Sequence, residues 1–171
     1  MIDTVSLIGM PASGKSTLGR PLADALGRRF VDGDQLIEQR EGASLAEILA
    51  SRGYLGLREA EQQALLAEDF SGAVLATGGS AVYSPAVMAK LRDAGPLVFI
   101  DLPLAQLQRR LGDFAARGIA CAPGTDLPAL YAERQPLYEA AADIRIDADG
   151  CSETALVAAI QQAVLAWPGR P

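Results

Sequence analysis

The chain has 171 residues, 50% of them hydrophobic, and a formal net charge of -6. That length supports one sizeable core and a single domain over 1–171, and the acidic balance excludes a general nucleic-acid or anionic-membrane binder, which needs clustered Lys and Arg. With no His and only two Cys, Cys121 and Cys151, a His-based triad and a Cys/His zinc site are also excluded.

Chemistry must therefore come from carboxylates, Arg, Lys, hydroxyls or a bound metal ion. The opening MIDTVSLIG carries no basic leader and no long apolar run, so the expectation is a cytoplasmic, reduced protein with two free thiols and no membrane partner. No surplus apolar element asks for a second subunit, and a monomer is expected.

In chain order, TVSLI (4–8) predicts a first strand and 16–26 a helix, with Pro21 inside it at the expense of a backbone hydrogen bond and a kink. RFV (29–31) predicts the second strand, followed by helices near 34–51 and 57–68; within the first of these, Ser44 and Glu47 have capping-box spacing. AVLAT (73–77) and LVFID (97–101) are strands separated by a helix at 85–93, for which Ser84 and Pro85 supply an N-cap and an N1 proline. Helices near 103–111, 127–141 and 152–166 and a strand DIRID (143–147) complete the pattern. Strands alternating with helices imply right-handed crossovers, hence a three-layer α/β domain with a parallel sheet. The stretch 113–126, DFAARGIACAPGTD, reads as a mobile excursion, and the terminal PGRP as frayed.

Gly9-Met10-Pro11-Ala12-Ser13-Gly14-Lys15-Ser16 fits G-x-x-x-x-G-K-[ST] between a predicted strand and a predicted helix, the context a phosphate-binding loop requires. Its backbone N–H groups and the helix N-terminus would hold phosphates, Lys15 would reach the β- and γ-phosphates, and Ser16 would ligate Mg²⁺. A chance Gly-rich turn is the alternative, but lysine is scarce, Lys90 being the only other. A GTPase reading guanine through Asn-Lys-x-Asp is excluded, because the chain contains no Asn.

Asp32-Gly33-Asp34 closes the second predicted strand, where ligands of open α/β sheets gather. Asp32 could hold Mg²⁺ and Asp34 accept a hydrogen bond from an attacking hydroxyl, although Asp and Gly also make ordinary turns. In LREAE (57–61), Arg58 and Glu61 stand one turn apart; on spacing alone this is a surface ion pair of small worth, and an Arg oriented by a Glu for an anionic substrate is the other reading. Gly78-Gly79 at the end of LATGGSAV allows close backbone approach to a ligand, or simply turns the chain. Taken alone, Arg134 reads as a helix-surface residue pairing with Glu133 or Glu139, and Tyr138 as packing.

Together, GMPASGKST, FVDGDQLIEQREGASLAEILASRG, LREAE, VLATGGSAV and ERQPLYEAAAD resemble the shikimate kinase family, among the nucleoside-monophosphate-kinase-like P-loop kinases, over about residues 5 to 147. The resemblance implies a five-stranded parallel sheet in the order 2-3-1-4-5, acceptor-binding helices at about 34–61, and a lid at 113–126. It implies an ATP- and Mg²⁺-dependent transfer of phosphate to a hydroxyl of shikimate, in the supply of aromatic amino acids. Nucleotide would be bound by Gly9, Ala12, Ser13, Gly14, Lys15, Ser16 and Thr17, with Arg110 against the adenine and Arg117 brought onto the phosphates by the lid. Asp34, Arg58 and Arg134 would contact shikimate, the arginines at its carboxylate; Gly78, Gly79 and Ser80 would line the acceptor site, and Asp32 would lie near Mg²⁺.

Four positions depart from the family pattern. Ser80 replaces its third glycine, Arg117 is followed by Gly-Ile-Ala instead of Pro-Leu-Leu, Ala12 replaces a glycine, and Leu57 replaces a Phe. Ala12 should be tolerated if its φ is negative. A kinase for another carboxylated polyol such as quinate or gluconate is the same-class alternative, and a nucleotide-binding regulatory module without turnover is the alternative of another class.

Overall fold

The computed structural model describes residues 3–112, 114 and 118–170. Five strands, β1 (Val5–Ile8), β2 (Arg29–Asp32), β3 (Ala73–Ala76), β4 (Leu97–Asp101) and β5 (Ile144–Asp147), form one parallel sheet in the order β2-β3-β1-β4-β5. All four residues of β1 and of β3 are buried, because helices cover both faces of the sheet and leave no solvent side to call for alternation. The edge strands β2 and β5 are partly exposed and accordingly carry Arg29, Asp32, Arg145 and Asp147.

The helices are α1 (Lys15–Leu26), α2 (Gly33–Glu41), α3 (Leu45–Ala67), α4 (Pro85–Ala94), α5 (Leu104–Leu111), α6 (Leu127–Ala141) and α7 (Glu153–Ala166), with a 3₁₀ turn at Ala81–Tyr83. Leu7, Leu22, Leu75, Leu91, Val98 and Ile160 join both helical layers to the sheet in the main core. A second cluster, Ile37, Ile48, Leu57, Ala60, Ala64 and Ala120, packs α2 and α3 against each other. Both capping signals operate as the sequence predicts. The Ser44 hydroxyl accepts from the Glu47 amide at 3.2 Å while the Ser44 amide donates to Glu47 Oε2 at 2.7 Å, and Ser84 Oγ accepts from the Val87 amide ahead of Pro85.

Three local expectations fail. The helix read over 34–51 ends at Glu41, where Gly42 takes the left-handed conformation at the C-cap, and the capping box at Ser44 starts a new helix. That new helix then meets the one read at 57–68, the two joined across a kink at Gly53 with φ 72° and ψ 179°. Pro21 lies inside α1, as read, and does not end the helix, which continues to Leu26 with Leu18, Leu22 and Ala23 on its buried face. Nor is the described C-terminus loose: Arg170 is ion-paired to Asp143, donates to the Arg92 carbonyl, and lies 5.5 Å from the Trp167 ring.

Candidate active site

The loop between β1 and α1 leaves the first turn of that helix without a side-chain cap, since Gly14 at the N-cap offers none. First-turn amides in that state favour an anion, reinforced by the partial positive charge of the helix end. Glycine is required at position 9, where φ is 147° and a Cβ would lie 2.8 Å from the Ile100 carbonyl. Lys15 is buried, with Nζ donating to the carbonyls of Gly9 and Met10 at 2.7 Å each. Burial lowers its pKa to about 8, against the opposing pull of the Asp34 carboxylate. The buried Ser13 hydroxyl has no hydrogen-bond partner among the described residues. Ala12, contrary to the condition set for it, has φ 61°, a left-handed conformation that costs a Cβ-bearing residue roughly 1–2 kcal/mol. Arg110 reaches this loop from α5 and donates to the Ala12 carbonyl at 3.4 Å.

Asp32 sits at the N-cap of α2. Its Oδ1 accepts from the amides of Asp34 (3.0 Å) and Gln35 (3.4 Å), and its Oδ2 accepts from Ser16 Oγ at 2.8 Å. A hydroxyl and a carboxylate oxygen side by side, beside uncapped phosphate-binding amides, form a donor set suited to a hard oxygen-seeking cation. The sequence separates these residues by sixteen positions; β1 and β2 bring them together by ending on the same side of a parallel sheet.

A cavity of about 310 Å³ opens beside the loop, lined by Lys15, Asp34, Glu61, Gly79, Ser80 and Arg134 among others. Asp34 is reachable from solvent through this cleft, yet the protein around it excludes enough water to raise its carboxyl pKa, with Lys15 pulling the other way. The two glycines do more than turn the chain. A Cβ on Gly78 would collide with the Glu61 carboxylate, and one on Gly79 would lie 2.7 Å from Arg134 Nη1. Tyr138 is packing, as read, stacked on Phe99 at 5.4 Å, but its hydroxyl also donates to the Gly79 carbonyl and so fixes this turn.

The expected Arg58–Glu61 pair does not form. Glu61 is buried, one carboxylate oxygen accepting from the Ser80 hydroxyl and the other, Oε1, without a partner among the described residues. Burial raises its pKa to about 7, against the opposing effect of the Ser80 hydrogen bond. The Ser80 side chain thus turns to Glu61, and its extra bulk does not simply fill the acceptor space. Arg58 instead donates through Nε (3.3 Å) and Nη2 (3.0 Å) to the Ala120 carbonyl. Arg134, read from its neighbours as a surface residue, is 1% exposed and donates through Nη2 to the same carbonyl at 2.8 Å. Two guanidinium groups from α3 and α6 therefore converge on one backbone oxygen, and neither is ion-paired among the described residues.

Of the residues singled out in the sequence, the structure brings Ala12, Gly14, Lys15, Ser16, Thr17, Asp34, Gly78, Gly79, Ser80 and Arg134 to one cavity. Arg58 joins it through Ala120, and Asp32 through Ser16. Arg117 and positions 113, 115 and 116 of the expected lid lie outside the described residues. The later part of that stretch contributes Ala120 to the second core cluster, and its carbonyl to the arginines. Sequence reasoning missed that carbonyl, which no residue type advertises, and Tyr83, whose ring lies 3.8 Å from the Arg58 guanidinium carbon. It also missed the apolar wall provided by Ile37, Leu45 and Ile119.

The family model for shikimate kinase matches residues 11–165. The chain is 42% identical over 162 residues to the shikimate kinase of Mycobacterium avium, covering 92% of this chain and 90% of that protein. Among solved structures, shikimate kinase from Acinetobacter baumannii in complex with shikimate superposes with a TM-score of 0.87 at 29% identity, over 96% of this chain and 94% of that one. Shikimate kinase from Aquifex aeolicus gives 0.80, also at 29% identity, over 95% and 96%.

Proposed function

This chain belongs to the shikimate kinase family, phosphotransferases that act on a hydroxyl with ATP as co-substrate, and we propose that it transfers the γ-phosphoryl group of ATP to a hydroxyl of shikimate. The observation that carries this reading is the convergence of Arg58 and Arg134 on one oxygen beside a cavity that Asp34 and the phosphate-binding loop share. Two guanidinium groups without carboxylate partners among the described residues suit an acceptor carboxylate, and a carboxylate opposite them suits its hydroxyls.

In this reading, the amides of the loop from Gly9 to Thr17 hold the phosphates, and Lys15 leaves its carbonyl partners to reach the β- and γ-phosphates. Arg110, already at the loop, flanks the base, and Arg117 is assigned to the phosphates as the family resemblance implies. Ser16 and Asp32 would hold a magnesium ion, which would supply positive charge to offset the charge that builds on the phosphates. Arg58 and Arg134 orient the acceptor through its carboxylate, and the backbone of Gly78 to Ser80 supports its other face. The acceptor hydroxyl oxygen forms a bond to the γ-phosphorus as the bond from that phosphorus to the β–γ bridging oxygen breaks, the electron pair leaving with ADP. Asp34 takes the hydroxyl proton, a role helped by its raised pKa.

The domain works as a cytoplasmic monomer in this reading; among the described residues no helix is long and apolar enough to cross a membrane. ADP release measured against shikimate, quinate, gluconate and nucleoside monophosphates tests the acceptor. Shikimate should exceed the others by at least about tenfold in kcat/KM, as expected when buried donors lose their partner on the wrong substrate. Tight ATP binding with no turnover on any acceptor would support a regulatory module instead.

A further inference from the structure

Tyr83 ends the 3₁₀ turn that follows the double glycine, and it touches both arginines in different ways. The Arg58 guanidinium carbon lies 3.8 Å from the centre of its ring, with the Tyr54 ring 5.0 Å from the same group. Its hydroxyl accepts from Arg134 Nε at 3.3 Å and donates to the Glu133 carboxylate. A phenol has one proton to give. With that proton committed to Glu133, the oxygen lone pairs are left for Arg134.

Two like charges drawn to one carbonyl repel each other, and neither has a carboxylate partner among the described residues to hold it. The electron-rich face of one ring and the oxygen on its rim offset that repulsion at separate points. No substrate contact is needed for this, so the pair can be set before the acceptor arrives.

We propose that Tyr83 is a positioning residue for acceptor selection, holding Arg58 by its ring face and Arg134 by its hydroxyl so that both guanidinium groups present their donors to one carboxylate. This rests on the reading of those arginines as carboxylate ligands. Glu133 acts one step further out, by fixing the direction of the Tyr83 hydroxyl.

The test compares the full-length enzyme with Tyr83→Phe, Tyr83→Leu and Glu133→Ala, using shikimate and its uncharged methyl ester as acceptors. Tyr83→Phe should raise KM for shikimate about threefold to tenfold, Tyr83→Leu about thirtyfold, and Glu133→Ala about threefold. KM for ATP and kcat should stay within about twofold, because the ring does not touch the phosphate site. With the methyl ester the variants should match the parent enzyme, since there is no carboxylate left to orient. Equal losses on acid and ester, or KM for ATP rising in step, would mean general damage to the fold and overturn the proposal. If Tyr83→Leu does not fold, the exposed Glu133→Ala decides, and an unchanged KM there overturns it. A parent enzyme that does not distinguish acid from ester would overturn the carboxylate reading itself, and the proposal with it.

Discussion

Ser16 and Asp32 meet at 2.8 Å across the ends of β1 and β2, while the second oxygen of Asp32 caps α2 through the Asp34 amide. One carboxylate thus joins the phosphate loop to the helix that carries the candidate base. Asp32→Asn keeps a cap acceptor but removes the charge; the Mg²⁺ concentration for half-maximal rate should rise about tenfold with little loss of stability. Asp32→Ala should show the same metal defect and a further loss of about 1 kcal/mol from the missing cap. Metal titrations of the rate, paired with urea unfolding, separate the two. An unchanged Mg²⁺ requirement in both variants would remove Asp32 from the metal site.

Glu61 makes stability depend on pH in an unusual direction. Its pKa rises from 4.5 to about 7 on folding, through burial and the nearby Asp34 carboxylate, against the lowering effect of the Ser80 hydrogen bond, Arg134 and Lys15. Between those values the folded chain binds a proton that the unfolded chain has lost, so this group removes stability as pH rises through that window and leaves it lost above. Glu61→Gln should therefore gain about 3 kcal/mol relative to the parent above pH 7.5 and nothing near pH 4. Chemical denaturation at a series of pH values measures the difference, and a difference that does not change with pH would contradict the buried-carboxylate account.

Ala12 holds φ 61° within the phosphate loop. Ala12→Gly removes the Cβ strain but gives the unfolded chain more freedom, so the net gain should be about 0.5–1 kcal/mol. Thermal unfolding with and without ATP checks it. ATP affinity should hold or improve, since the left-handed backbone is the one already present; a loss of stability would show that the methyl group packs favourably enough to outweigh its strain.

Arg58→Ala should weaken shikimate binding by about 2 kcal/mol or more, with ATP affinity nearly unchanged, if it loses a desolvated contact to a carboxylate. Arg134→Ala should weaken shikimate binding and also lower stability, because that side chain is 1% exposed and braces Tyr83 and the Ala120 carbonyl. Calorimetric titration of each ligand distinguishes these effects. Full shikimate affinity in Arg58→Ala would put the carboxylate elsewhere.

The amino-acid sequence alone set the layered α/β architecture, since the central strands β1, β3 and β4 are short, largely apolar runs, the edge strands β2 and β5 mix apolar with charged residues, and longer helical periods lie between them. It determined the phosphate loop as well, because Gly9, Gly14, Lys15 and Ser16 act through local geometry at fixed spacing. The strand order and most of the acceptor site were legible only through the family resemblance, as spacing alone put Arg134 on the surface and paired Arg58 with Glu61. Packing overrode both of those expectations. Arg58, Arg134, Tyr83 and the Ala120 carbonyl lie on separate elements, and their partners are chosen by which side chains the folded core brings within reach, a backbone oxygen and a ring face among them. The sign of φ at Ala12 and the turn of Ser80 toward Glu61 were settled in the same way, by neighbours distant in the chain or by a backbone path that residue type does not encode.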